Sequence, residues 1–184
     1  MATNLYLGEA IKFGDGGNAR KFMGRGWDSS SAPNGTYTVE HQAHLAFQLA
    51  RSKQEMTLEI EALPFVHPPE LKKQSLMVLL NGNMIGYLKA PALVKETIEF
   101  NSDVLRDGGD NLLSFIMPDA VSARELGIGD GIRPFGFCFH SVKFISSSPA
   151  AKSNYISSPV AESNDISSPA AKSSFTHFMG KTRR

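Results

Sequence analysis

One cysteine, one tryptophan, no long apolar run and almost no net charge are what this chain has least of. A lone Cys138 excludes an internal disulfide framework and any zinc site built from cysteine pairs, and it is compatible with a reducing compartment. Within an apolar stretch it reads as a small buried hydrophobe rather than a nucleophile. No apolar segment approaches the roughly 20 residues of a membrane-spanning helix, and the start, Met-Ala-Thr-Asn-Leu-Tyr-Leu-Gly-Glu-Ala, has no basic region leading into an apolar core. The expectation is a soluble, cytoplasmic protein without a signal peptide or membrane insertion. A formal net charge of +1 leaves no field strong enough to argue for nucleic acid. Five scattered histidines lack helical ligand spacing, and no Walker loop, Gly-x-Ser-x-Gly elbow or framed carboxylate pair occurs. No metal, cofactor or catalytic residue is therefore assigned, and the chain is read as a non-enzyme.

What is present is alternation. Ala43, Leu45, Phe47 and Leu49 fall on one side of an extended segment, with His44, Ala46 and Gln48 on the other. Met56, Leu58, Ile60 and Ala62 repeat the pattern against Thr57, Glu59 and Glu61. Two apolar runs around Asn81-Gly82-Asn83 predict a hairpin, Asn4 to Phe13 predicts a first edge strand, and Pro64 to Lys73 a crossing loop. Strands are also predicted over 95–100 and 111–117. The segment from Ser122 to Phe144 runs from a glycine-punctuated turn into an aromatic strand and reads as the closing strand. About nine short strands with no amphipathic helix predict an all-β, antiparallel β-sandwich or jelly roll over residues 1–145. Residues 146–184 are different material. Ser148-Pro149, Ser158-Pro159 and Ser168-Pro169 recur every ten residues with few large apolar groups, which predicts a disordered tail.

Four residues are candidates for ligand contact: Trp27, Tyr37, Asp130 and Arg133. Trp27, among glycines, suits either a platform for a pyranose ring or a core anchor whose indole N–H finds a carbonyl, and the anchor is favoured. Asp130 and Arg133 either hydrogen-bond glycan hydroxyls or pair with each other, and the mutual clamp is favoured. The Gly14-Asp15-Gly16 turn lacks the following helix a phosphate loop needs. Asp103, Asp107 and Asp110 lack calcium-loop spacing and read as a solvated surface cluster.

Several short pieces in order carry a resemblance: Phe13-Gly14 with Gly17-Asn18-Ala19, Gly26-Trp27, Val78-Leu79-Leu80-Asn81-Gly82, Phe115 to Ala120, and Glu125-Leu126-Gly127 leading to Asp130, Arg133 and Gly136-Phe137. In these the chain resembles the carbohydrate-binding-like β-sandwich modules found alone or appended to bacterial glycosyltransferases and other envelope-polysaccharide proteins. Similar modules often carry an acidic residue and a second tryptophan after the Gly-Trp, where this chain has Ser29 to Tyr37, and a proline where it has Ala123. The resemblance implies a module that binds a glycan or accompanies a glycosyltransferase. A self-associating structural protein, hence a homo-oligomer, is the alternative expectation, and an esterase-like hydrolase the third.

Overall fold

The computed structural model describes residues 2–146. The expected disorder of the Ser-Pro repeats concerns residues outside that range. Among the described residues ten strands form: β1 (Thr3–Asn4), β2 (Ala10–Lys12), β3 (Thr36–Tyr37), β4 (Gln42–Gln48), β5 (Met56–Pro64), β6 (Gln74–Leu80), β7 (Asn83–Ala90), β8 (Val94–Phe100), β9 (Asp110–Ile116) and β10 (Phe137–Ser146). They pair in two sheets, one ordered β1-β4-β9-β6-β7 and the other β2-β10-β5-β8, with β3 also on β10. This is the expected sandwich, antiparallel throughout except for the short parallel pair of β1 and β4. The only helical elements among the described residues are two 3-10 turns, Ala19–Lys21 and Ser102–Val104, so none is long and apolar enough to cross a membrane.

Period-two burial is what holds the sheets face to face. Ala43, Leu45, Phe47, Met56, Leu58, Ile60 and Ala62 are all at most 2% exposed, and each contributes roughly the 1.5 to 3 kcal/mol of a buried large side chain, less for alanine. Aromatic contacts bridge the layers: Phe47 meets Phe144 at 5.0 Å, and Phe115 meets Phe139 at 4.4 Å between ring centroids. The expected hairpin turns on Asn81 and Gly82, with φ of 52° and 85°, the left-handed pair a tight two-residue turn requires.

The predicted first strand is broken in two. Residues 3–4 join the first sheet and 10–12 the second, because the turn at Tyr6–Glu9, closed by a bond from Glu9 N to Tyr6 O, carries the chain across the sandwich edge. Residues 64–73 do cross between sheets, from β5 to β6. The aromatic strand lies centrally in its sheet, paired with β5 on one side and with β3 and then β2 on the other. A register shift between Phe139 and Ser141 marks where one edge partner gives way to the next.

Candidate functional site

Gly26 determines where the tryptophan goes. With φ of +89° and no side chain, it lets the loop lie against the Gln42 carbonyl and the Ala43 backbone, a space a Cβ would overlap. Trp27 therefore enters the sandwich. It is 9% exposed, its ring packs on Phe13 at 4.9 Å and meets Phe139 and Phe115 edge-on at 5.2 and 6.1 Å, and its indole Nε1 donates to His44 O at 2.8 Å. The arrangement is that of a core anchor, with only a margin of the side chain reaching the surface.

Beyond Trp27 the loop is pinned by Arg20, whose guanidinium donates to Asp28 O (2.8 Å), Ser29 O (2.7 Å) and Ser31 Oγ (2.9 Å). Asp28 N donates to Tyr37 O at 2.9 Å, which sets the Asp28 carboxylate beside β3. Arg133, largely exposed, reaches that carboxylate at 3.9 Å. The anticipated mutual pair with Asp130 is thus replaced by a partner more than a hundred residues earlier in the chain. Asp130 stands exposed on the 126–133 loop and makes no ion pair among the described residues. Two residues past Arg133, the half-buried Phe135 meets Tyr37 edge-on at 5.8 Å and Phe65 at 5.6 Å. Three rings from three separate segments so line one corner of the sandwich, next to a charged pair.

The corner is fixed from beneath. Gln74, fully buried at the start of β6, donates through Nε2 to Phe65 O at 2.8 Å and Phe135 O at 2.9 Å, tying both backbones to the opposite sheet. Its Oε1 has no partner among the described residues. Burial, with a smaller push from Cys138, raises the Tyr37 phenol above its ordinary value, so its hydroxyl remains a proton donor at neutral pH. Burial raises the Cys138 thiol as well, consistent with an inert packing role. On the other side of Arg133 a depression of about 390 Å³ is lined by Trp27, Ser29, Val39, Glu40 and Arg133.

Tyr37 and Arg133 are therefore linked through Asp28, which bonds the first by its backbone and the second by its carboxylate, while Trp27 contributes an edge from inside the core and Asp130 stands apart. Phe65, Phe135 and Asp28 are members the sequence reading passed over. A second cleft of about 390 Å³ lies on the outer face of the second sheet, where Lys143 pairs with Glu59 at 2.6 Å and Lys95 with Glu61 at 3.1 Å. Both of its lysines are held by these carboxylates, and no aromatic side chain lines it. The acidic cluster is tied down by the protein itself: Arg51 pairs with Asp103 at 3.4 Å and its N–H donates to Asp107, while Asp110 accepts from Gln48 and Ala2. No group of three metal-ligating side chains occurs among the described residues.

No family model matches the chain, and no curated protein matches it. Among solved structures it is similar to the carbohydrate-binding module CsCBM6-3 from Clostridium stercorarium, solved with cellobiose, at 8% identity and a TM-score of 0.46, covering 80% of this chain and all of that one. It is also similar to a family 35 carbohydrate binding module from Clostridium thermocellum (12%, TM-score 0.40, covering 76% of this chain and 99% of the other). A quarter of the mosquito-larvicidal Cry4Aa toxin of Bacillus thuringiensis overlaps 80% of the chain at 9% identity and a TM-score of 0.45. Overlaps this loose decide no function, and the sandwich is established by its own strand order.

Proposed function

We propose that this protein is a non-catalytic glycan-binding module whose ligand lies across the corner formed by Tyr37, Phe135 and Phe65. The observation that carries the reading is the cluster of those three half-buried rings, tied to the Arg133 and Asp28 pair by the hydrogen bond from Asp28 N to Tyr37 O. Pyranose rings present apolar C–H faces and equatorial hydroxyls. Aromatic surface packs on the first, while a guanidinium donates to the second and a carboxylate accepts from it. A partly solvated pair 3.9 Å long can exchange its weak mutual contact for sugar hydroxyls at little cost. The role that accompanies this reading is attachment to a polysaccharide, or to the cytoplasmic machinery that makes one, without turnover.

Affinity electrophoresis through gels carrying soluble bacterial polysaccharides tests it. Wild-type protein is expected to be retarded by at least one polymer, with Phe135→Ala reducing the retardation constant by about tenfold, equivalent to about 1.4 kcal/mol. Retardation undiminished in Phe135→Ala, Tyr37→Ala and Arg133→Ala, each shown folded by circular dichroism, would remove the corner from the binding surface.

A further inference from the structure

The depression beside Arg133 is built on the same extended segment as the aromatic corner. Thr36 and Thr38 are 1% and 0% exposed and turn into the sandwich, so the half-buried Tyr37 and Val39, which alternate with them, share the outward face. Bonds from Thr38 N to Phe137 O and from Val39 N to Gly26 O, both 2.9 Å, hold the backbone in place through residue 39. Two residues of extended chain rise about 6.6 Å, so Tyr37 at the corner and Val39 in the depression stand apart on the scale of one sugar residue.

What lines the depression repeats the chemistry of the corner. The exposed margin of Trp27 and the side chain of Val39 supply apolar surface, Ser29 a hydroxyl and Glu40 a carboxylate. Arg133 belongs to both places: its side chain lines the depression, and through Asp28 it is tied to Tyr37. Glu40 pairs with Arg25 at 3.5 Å with both side chains well exposed, a contact that solvent screens and sugar hydroxyls can replace. The charges also set a class of ligand. Arg133 already faces the Asp28 carboxylate and Glu40 adds a second negative group, so a sugar acid would meet like charge on both sides of the guanidinium.

From this continuity, and resting on the glycan reading of the corner, we infer that the ligand runs on past Arg133 into the depression, so that the protein reads at least two linked, uncharged sugars and not a single terminal one. One ring lies on Tyr37, Phe135 and Phe65. The next covers Val39 and the edge of Trp27, its hydroxyls donating to Glu40 and accepting from the Arg133 guanidinium. The second ring adds its contacts without a second loss of translational freedom, so affinity climbs with the first added sugars and stops climbing once both positions are filled.

Isothermal titration calorimetry of the full chain tests this, with ladders of one to five units from glucan, mannan, xylan and galactan and with oligogalacturonates of the same lengths. In at least one neutral ladder affinity is expected to rise about tenfold from one unit to three and then level off, with the galacturonate trimer bound about tenfold more weakly than the neutral one. Glu40→Ala and Val39→Asp, each shown folded by circular dichroism, are expected to bring the three-unit affinity within about threefold of the single sugar, whereas Phe135→Ala lowers every member of the ladder. Equal affinity for one and three units, or a length dependence undiminished in both variants, overturns the extension and leaves the corner standing. A galacturonate trimer bound as tightly as the neutral one overturns the uncharged class. Binding to none of the ladders removes the corner and the extension together.

Discussion

Replacing Trp27 with alanine separates the two roles a lone tryptophan can play, and its cost can be worked from the contacts. The indole packs on Phe13, Phe115 and Phe139 and is 9% exposed, so its removal leaves a cavity among those rings. Truncations of this kind cost about 3 to 5 kcal/mol. The lost hydrogen bond adds little, because His44 O keeps a second donor in Gly24 N at 2.9 Å. With an unfolding entropy near 2.1 cal/mol/K per residue, about 0.3 kcal/mol/K for this body, the midpoint should fall by roughly 10 to 16 °C. Trp27→Phe, which keeps most of the packing, should lose less than half of that. Calorimetry or circular dichroism is the assay, since the variant has no tryptophan left to report by fluorescence. A loss under about 3 °C together with abolished sugar binding would refute the reasoning, because it is the signature of a ligand platform and not of a core anchor.

The remaining expectations use other parts of the frame. Gly26→Ala should destabilise strongly, by about 3 kcal/mol or more in urea denaturation, since both its positive φ and the Gln42 carbonyl exclude a Cβ. Gln74→Met removes two buried donors while relieving the unpartnered Oε1; the stability loss should be about 2 kcal/mol, and nuclear Overhauser contacts between Phe65 and Phe135 should weaken. Hydrogen bonds from Ser122 N and then from its hydroxyl hold the Glu125 carboxyl below its ordinary value. A folded-state value below the unfolded one contributes stability above the unfolded value, and that contribution is lost as pH falls through the folded one. Wild-type and Glu125→Gln midpoints should therefore differ at neutral pH and converge on acidification. Cys138 has the opposite sign: burial raises it, so its contribution is complete below the ordinary thiol range and is lost as pH rises through the folded value, a loss that Cys138→Ala should abolish.

How much was legible in the chain depended on the range of the interaction. Strands β4 and β5 and the β6–β7 hairpin could be read directly, because a buried face writes itself as period two and the Asn81-Gly82 turn is local chemistry. The break between β1 and β2 could not be, because Leu5, just past β1, and Ile11, in β2, are both buried and look alike in sequence. The site follows the same rule. Tyr37 and Arg133 could be suspected from residue type and from their loops. That Arg133 meets Asp28 and not Asp130, and that Phe135 meets both Tyr37 and Phe65, depends on how the strands flanking these residues line up, across separations that reach just over a hundred residues. A usable signal did exist: Phe65 and Phe135 each lie just outside a strand, beside Pro64 and Gly136, where an aromatic has less core to enter.

The measurement that bears most directly on the glycan-binding account is amide chemical-shift mapping of the ¹⁵N-labelled chain titrated with an oligosaccharide of the polymer that retards it. The expected result is that the largest shifts fall on Asp28, Tyr37, Phe65, Arg133 and Phe135, with Trp27 Nε1–H moving little because it is held by His44 O. Shifts centred instead on Glu59, Glu61, Lys95 and Lys143, or no saturable shifts with any polymer, would contradict it.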